Sequence, residues 1–472
     1  MEAPSESVGL ARPARLAVGY TAMLVIAAAL IALITWYGGG LEAPVLETAV
    51  TTATHAGPSA HMLPRVLFAL VAVIGLGRML SLLLAKLDQP PVIGEVLAGI
   101  LLGPSLIGAE TSAMILPAAA APYLGVLAQL GVILYMFVIG LELNAGQLAS
   151  RAHATVAISH ASIVLPFLLG TLLALWLYPR LSHAGVSFTG FAMFCGVSMA
   201  VTAFPVLARI LSDRGITRTE LGGIALACAA ADDVTAWCLL AFVVGIVNAS
   251  VAGATVTLGL AAAYLALMYL VVRPLAIMYL GGRPAPLGAS NPSAEPSSGL
   301  ITAVLLAVLV SALTTELIGI HAIFGAFLLG AIIPHDAPIA KVFTEKMGPM
   351  AMTLLLPAFF AYTGMRTEIG LVSGAEAWVM VAVIIAVATL GKFGGTYVAA
   401  RFAGLDSKMS AALGILMNTR GLMELIVLNI GLDLGVISPK LFAMLVLMAL
   451  VTTIATTPIL KRIMPELSAS AA

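Results

Sequence analysis

Two aspartates stand side by side in an apolar run, Asp232 and Asp233 in Ala229-Ala230-Ala231-Asp232-Asp233-Val234-Thr235-Ala236-Trp237. A carboxylate pair can bind a cation, exchange protons, or do both in turn. Without counter-charge, two adjacent carboxylates repel each other in a low-dielectric site, so a pair kept there only to join helices is an unfavourable design. Two bases occupy similar settings: Lys392 in Gly391-Lys392-Phe393-Gly394-Gly395, and Arg420 in Asn418-Thr419-Arg420-Gly421 with Glu424 one turn beyond. Neighbouring helical positions point about 100° apart. One aspartate can therefore face an ion path while the other meets a packed helix carrying Lys392 or Arg420. For Arg420, neutralising a helix end or Glu424 is as good a reading as direct ion chemistry.

The elements holding these charges must lie in a membrane. Of 472 residues, 61% are hydrophobic and only 9% charged, with a mean hydropathy of +1.10, against about 25% charged in soluble domains. A hydrocarbon core about 30 Å thick needs roughly 20 apolar residues per span. Apolar runs begin at Leu16, Val66, Val92, Leu124, Val156, Phe188, Leu221, Val256, Leu300, Ile320, Met350, Trp378, Met409 and Leu441, which predicts 13–14 transmembrane helices in an all-α polytopic protein. The runs at Val92 and Ile320 are short enough to be half-helices. With both termini inside, the inner segments carry thirteen Lys and Arg residues and the outer ones four, as the cytoplasmic bias of basic residues requires. Counting 1.5 Å per residue from the inner surface, Asp232, Asp233 and Arg420 lie roughly 17 Å deep and Lys392 roughly 12 Å. Half of the hydrocarbon core is about 15 Å. Two acids and two bases thus converge near the midplane, where ionisable groups mark ion or proton paths.

The chain divides into an extra span and outer loop (1–62), a first membrane half (63–280), a flexible cytosolic loop rich in Pro, Ser, Gly and Ala (281–299) and a second membrane half (300–472). The run from Leu16 to Tyr37 is long for a signal core and reads as an uncleaved span. Lys plus Arg balances Asp plus Glu at 22 each, which leaves no basis for nucleic-acid binding. No nucleotide-binding motif occurs in a strand-to-helix context, so neither a nucleotide-binding domain nor ATP-driven pumping is expected, and no cofactor is implied. Cys195, Cys228 and Cys238 lack any CxxC spacing and read as small buried residues. Glu95, Glu142 and Glu316 read as solvated groups near span ends, and His321 as a structural histidine.

Two spans carry signs of breaking within the membrane. In Ser198-Met199-Ala200-Val201-Thr202-Ala203-Phe204-Pro205 the proline removes a backbone donor. In Asn418-Thr419-Arg420-Gly421 a polar run and a glycine open the other span. These are the sixth and thirteenth spans, so they run in opposite directions, as in inverted-repeat transporters whose half-helices meet at a midplane site. Freed carbonyls around Thr202 and Ala203 would there coordinate a cation, with Asp232 and Asp233 completing a site for Na+ or K+ and protons. Lys392, Arg420 and Glu424 would compensate charge, and Pro205, Asn418, Thr419 and Gly421 would shape the breaks.

The runs Thr202-Ala203-Phe204-Pro205-Val206-Leu207-Ala208-Arg209-Ile210-Leu211, Ala231-Asp232-Asp233-Val234-Thr235-Ala236-Trp237 and Asn418-Thr419-Arg420-Gly421-Leu422-Met423-Glu424-Leu425 resemble the monovalent cation:proton antiporter-2 family. Gln89-Pro90-Pro91-Val92-Ile93-Gly94-Glu95 and Ile320-His321-Ala322-Ile323-Phe324-Gly325-Ala326-Phe327 do so too, and the match runs from about Val66 to Leu460. The resemblance implies a sodium/proton antiporter-like fold with two crossed broken helices, a core domain and a dimerisation domain, and elevator-type alternating access. It further implies a homodimer, Asp233 as the direct ligand, and Asp232 paired with Lys392 when no cation is bound. Plant-type exchangers with a similar Asn-Thr-Arg-Gly-Leu-Met-Glu-Leu run carry Asn where this chain has Asp232; the double acid is more like the electrogenic sodium/proton members. The expectation is a secondary antiporter in the cell membrane, not an enzyme, exchanging Na+ or K+ for protons. The alternative is a cation channel or sodium-coupled solute symporter on the same scaffold. An intramembrane aspartyl protease is disfavoured, because its acids lie on separate helices with one in a GxGD run, which this chain lacks.

Overall fold

The computed structural model describes residues 13–44, 62–115, 117, 120–142, 152–217, 219–248, 251–280, 296–334 and 336–465. Most of the 281–299 loop, the outer loop after the first span and the two ends of the chain lie outside the described residues. Among the described residues the fold is helical, with no strand. The helices that matter here are α1 (Pro13–Gly38), α2 (Met62–Ala85), α3 (Pro91–Leu102), α4 (Ala121–Glu142), α5 (Ala152–Leu181), α6 (Phe188–Ala200), α7 (Phe204–Asp213) and α8 (Glu220–Asn248). They continue with α9 (Val251–Leu267), α10 (Ser298–Ile318), α11 (Ala322–Ile332), α12 (Leu356–Met365), α13 (Gly374–Phe402), α14 (Ser407–Met417), α15 (Leu422–Asp433) and α16 (Pro439–Ile463). Helix α9 runs on to Leu280 through a π-helical turn, and α12 is preceded from Pro338 by short α and π segments.

Among the described residues, ten helical segments are long and apolar enough to cross a membrane. An eleventh is the pair α14 and α15, bent by 42° at its break. The short apolar helices α3 and α11 are the elements expected to be short, and the stretch ending in α12 completes the set of fourteen starts.

The helices sort into two bodies. One is a bundle of α5, α6, α8, α13, α14, α15 and α16, with α1 leaning on α5; the other is a panel of α2, α3, α4, α10, α11 and α12. Each body draws on both sequence halves. Lipid supplies no hydrophobic drive for helix association, so close approach through small residues does much of the joining. A methyl group on Gly391 would lie 2.7 Å from the Pro166 backbone, and one on Gly395 2.5 Å from the Ala161 carbonyl oxygen, so α13 presses directly onto α5 on either side of Lys392. In the panel, a methyl on Gly140 would come within 2.3 Å of the Phe327 carbonyl oxygen and one on Gly330 within 2.2 Å of that of Phe137.

Both broken spans are built alike and run oppositely. The Ser187 hydroxyl caps the entry of α6 by accepting from the Gly190 N–H at 3.2 Å, and the Asp406 carboxylate caps α14 by accepting from Met409 at 2.7 Å. The first break is the extended stretch Val201 to Ala203. Pro205 does not itself mark the break: it lies in the first turn of α7, where its missing N–H costs nothing. The second break covers Asn418 to Gly421. Gly421 is needed for space, because a methyl there would meet Val206 Cγ2 at 2.6 Å.

Candidate functional site

The two breaks touch. The Ala203 N–H donates to the Thr419 carbonyl at 3.0 Å, and the Thr202 hydroxyl lies 3.1 Å from the Met417 carbonyl, the last of α14. Four half-helix ends therefore converge, each bringing unpaired backbone groups and a partial charge.

Arg420 and Lys392 answer the negative end of α6. The Arg420 guanidinium donates to the Ser198 carbonyl at 2.9 Å and the Met199 carbonyl at 2.7 Å, and the Lys392 ammonium donates to the Ala200 carbonyl. The last three carbonyls of α6 are thus all received by cations. Arg420 also donates to Glu424 at 2.8 Å, placing that carboxylate in the first turn of α15, where a helix N-terminus favours it. Thr453 on α16 ties the broken strand down: its hydroxyl donates to the Arg420 carbonyl at 2.7 Å and accepts from the Arg420 N–H at 3.0 Å. Both cations and Glu424 are fully buried.

Asp232 is surrounded by donors. Its Oδ1 accepts from Ser159 at 2.6 Å; its Oδ2 accepts from Ser162 at 2.8 Å, Thr202 at 2.7 Å and Lys392 at 3.0 Å. Three donors thus gather on Oδ2 and one on Oδ1, the Ser162 and Thr202 hydroxyls dividing their single protons between the carboxylate and the Ser159 and Met417 carbonyls.

Asp233 is its opposite. It is 1% exposed, yet no hydrogen bond of ordinary geometry from the described residues reaches either carboxylate oxygen. The Phe204 N–H, at the positive end of α7, is the backbone donor turned toward it. One turn along the same face, the Trp237 indole N–H is likewise buried without a partner, as are Asn418 Oδ1 and Thr419 Oγ1 at the second break. Such groups are rare in folded chains. Their gathering at the crossed breaks describes a polar site that the protein alone does not satisfy.

The candidate ion-site, charge-compensating and break residues named from the sequence lie in or beside this crossing, with specific pairings, whereas Cys238, read there as buried, is exposed. Lys392 joins Asp232, whereas Arg420 joins Glu424 and the carbonyls of α6 rather than either aspartate. Sequence reasoning missed Ser159, Ser162 and Thr453, hydroxyl residues in apolar runs that carry no spacing signal of their own. Their nearest hint was Pro166, inside α5 four residues after Ser162.

Comparison with known proteins gives consistent matches. Residues 66–464 match the family model described as sodium/hydrogen exchanger, transmembrane. The Na(+)/H(+) antiporter NhaS4 of Synechocystis is 42% identical over 402 residues, covering 84% of this chain and 96% of that protein. Cation/H(+) antiporter 17 of Arabidopsis thaliana is 38% identical over 85% of this chain and 48% of its own length. K(+)/H(+) antiporter 1 of Saccharomyces cerevisiae is 33% identical over 81% and 44% respectively, so the chain spans about half the length of these two eukaryotic relatives. Among solved structures, the sodium proton antiporter MjNhaP1 of Methanocaldococcus jannaschii shares the fold with a TM-score of 0.63 at 15% identity, covering 86% of this chain and 98% of that one.

Proposed function

The chain belongs to the sodium/hydrogen exchanger family, and from that premise we propose that it exchanges a monovalent cation, Na+ or K+, for protons, with Asp233 as the group that holds each in turn. The observation carrying this reading is the contrast on α8: Asp232 has four side-chain donors and Asp233, among the described residues, none. Charge bookkeeping supports it. Lys392 cancels Asp232 and Arg420 cancels Glu424, which leaves Asp233 as the one uncompensated carboxylate at the crossing. An unpaired buried charge is strongly disfavoured, so the site favours a bound cation or a bound proton over neither. Binding one displaces the other, and that competition is the coupling.

Oxygen atoms suit the substrate. Backbone carbonyls can replace the hydration shell of an alkali cation, and the Thr202–Ala203 and Asn418–Thr419 breaks supply backbone and side-chain oxygen beside Asp233. Asp232, locked by Lys392, serves as a fixed wall of the site and lends negative potential without giving up its partners.

The two-body architecture supports elevator-type alternating access, with the bundle carrying the site past the panel. The panel would be the dimerisation surface, and the sequence halves 63–280 and 300–472 the inverted repeats. The chain would lie in the cell membrane with both termini on the cytoplasmic side. Reconstituted into liposomes with an internal pH dye, the protein should dissipate a pH gradient on addition of Na+ or K+. Asp233→Asn should abolish this while purifying as a folded protein; undiminished exchange by that variant would remove the assignment.

A further inference from the structure

Where bundle and panel meet at the level of Arg420, the contact is largely apolar: Val92, Ile93 and Val96 of α3 face Gly421, Leu425 and Leu450. The polar ties between the bodies sit nearer the two ends. At the outer end, Arg366, which closes α12 on the panel, donates to Asn429 Oδ1 at 3.0 Å and Asp433 Oδ1 at 2.6 Å, both on α15 of the bundle. Asn429 in turn donates to the Thr363 hydroxyl of α12 at 2.8 Å. Thr363 is fully buried and Asn429 nearly so. Arg366 is held ready on the panel side, its guanidinium 5.3 Å from the Tyr362 ring centre.

The inner end is tied more loosely. Lys461 of α16 pairs with Asp88 in the α2–α3 turn, both side chains about half exposed, and the Gln89 amide donates to the Ile454 carbonyl at 3.3 Å.

We propose that Arg366, Thr363, Asn429 and Asp433 form an outer latch that must open in every transport cycle. The proposal rests on the moving-bundle reading above. A hydrogen bond is lost beyond about 3.5 Å, so a slide of α15 by even a few ångströms past α12 breaks all three contacts together. The latch acts on the site through one element. Helix α15 starts at Leu422, carries Glu424 in its first turn and ends at Asp433, so the same rigid half-helix holds the Arg420 pair at one end and the latch at the other. Burial makes the outer latch selective: the Asn429 amide and Thr363 hydroxyl must find new partners or admit water before the bundle moves. The exposed inner pair faces no such condition. Arg366 is thus a positioning residue that governs when the site moves, not a ligand.

The test uses the full chain with its three cysteines replaced, carrying Thr363→Cys and Asn429→Cys, in proteoliposomes. Oxidation of the two thiols to a disulfide should cut cation-driven proton exchange at least tenfold, and reduction should restore it. Full exchange with the cross-link complete would show that α12 and α15 never part, and would overturn the latch. Failure of the thiols to cross-link would overturn it too, because the contact itself would be missing. As a second readout, Arg366→Gln should change turnover at least threefold with the cation KM unchanged; an unaltered turnover contradicts the proposal. If the reduced protein and the wild type both fail to exchange any cation, the antiport reading falls first and the latch with it.

Discussion

The two faces of α8 at Asp232 and Asp233 share residue type and burial and differ in what meets the carboxylate. One turns toward α5, α13 and the first break, where two serines, a lysine and Thr202 place four donors around it. Its neighbour turns toward the start of α7, where no side chain answers it. Burial alone therefore does not tell the two apart, since both carboxylates are equally buried. What distinguishes them is whether the protein has already supplied the counter-charge and hydrogen bonds. A satisfied buried carboxylate is a structural part; an unsatisfied one is an invitation to a ligand.

Substitutions can break that contrast, and their effects should rank accordingly. The largest stability loss should come from Asp232→Asn, which leaves the Lys392 ammonium buried without its partner; removing one member of a buried ion pair costs about 3–5 kcal/mol. Asp233→Asn should cost far less stability while abolishing exchange, because it removes no hydrogen bond. Thermal unfolding of the two purified variants in one detergent checks this, and equal losses would erase the distinction between the faces. Next, Arg420→Lys should destabilise by about 1–3 kcal/mol: an ammonium cannot match the planar fork that reaches Ser198, Met199 and Glu424 together. Full stability in that variant would mean the α6 carbonyls do not depend on the guanidinium.

Ser162→Ala removes one of four donors to Asp232 and should cost about 1 kcal/mol, measured as a small drop in unfolding midpoint with exchange retained. Smallest is Asp88→Asn at the inner surface. The hydrogen bond from Lys461 holds the Asp88 carboxyl below its ordinary value of 3.8. A depressed carboxyl contributes stability above the unfolded value and loses it as pH falls through the folded one. The variant should therefore differ from wild type by under about 1 kcal/mol, as for an exposed pair. That difference should be present at neutral pH and vanish in acid below about pH 4; a difference that grows on acidification would reverse the sign.

Much of this was legible in the residues themselves. A charge in a long apolar run stands out, and counting 1.5 Å per residue brought Asp232, Asp233, Lys392 and Arg420 to one depth. The breaks announced themselves through Pro205 and the Asn418-to-Gly421 run, although Pro205 opens the second half-helix rather than ending the first. Less visible were the partners. Ser159 and Ser162 are neutral and small, and only folding brings them to residues some 70 positions away. The role of Arg420 also depends on where α6 ends, which spacing did not fix. The division into bundle and panel was hidden because both bodies interleave the two sequence halves.

The central claim is that cation and proton compete for a single carboxylate, Asp233. Adding Na+ or K+ to the purified protein in weakly buffered solution with a pH indicator tests it directly. Wild type should release about one proton per cation bound, and Asp233→Asn none. Release that persists in that variant, or cation binding by wild type with no proton released, would contradict it.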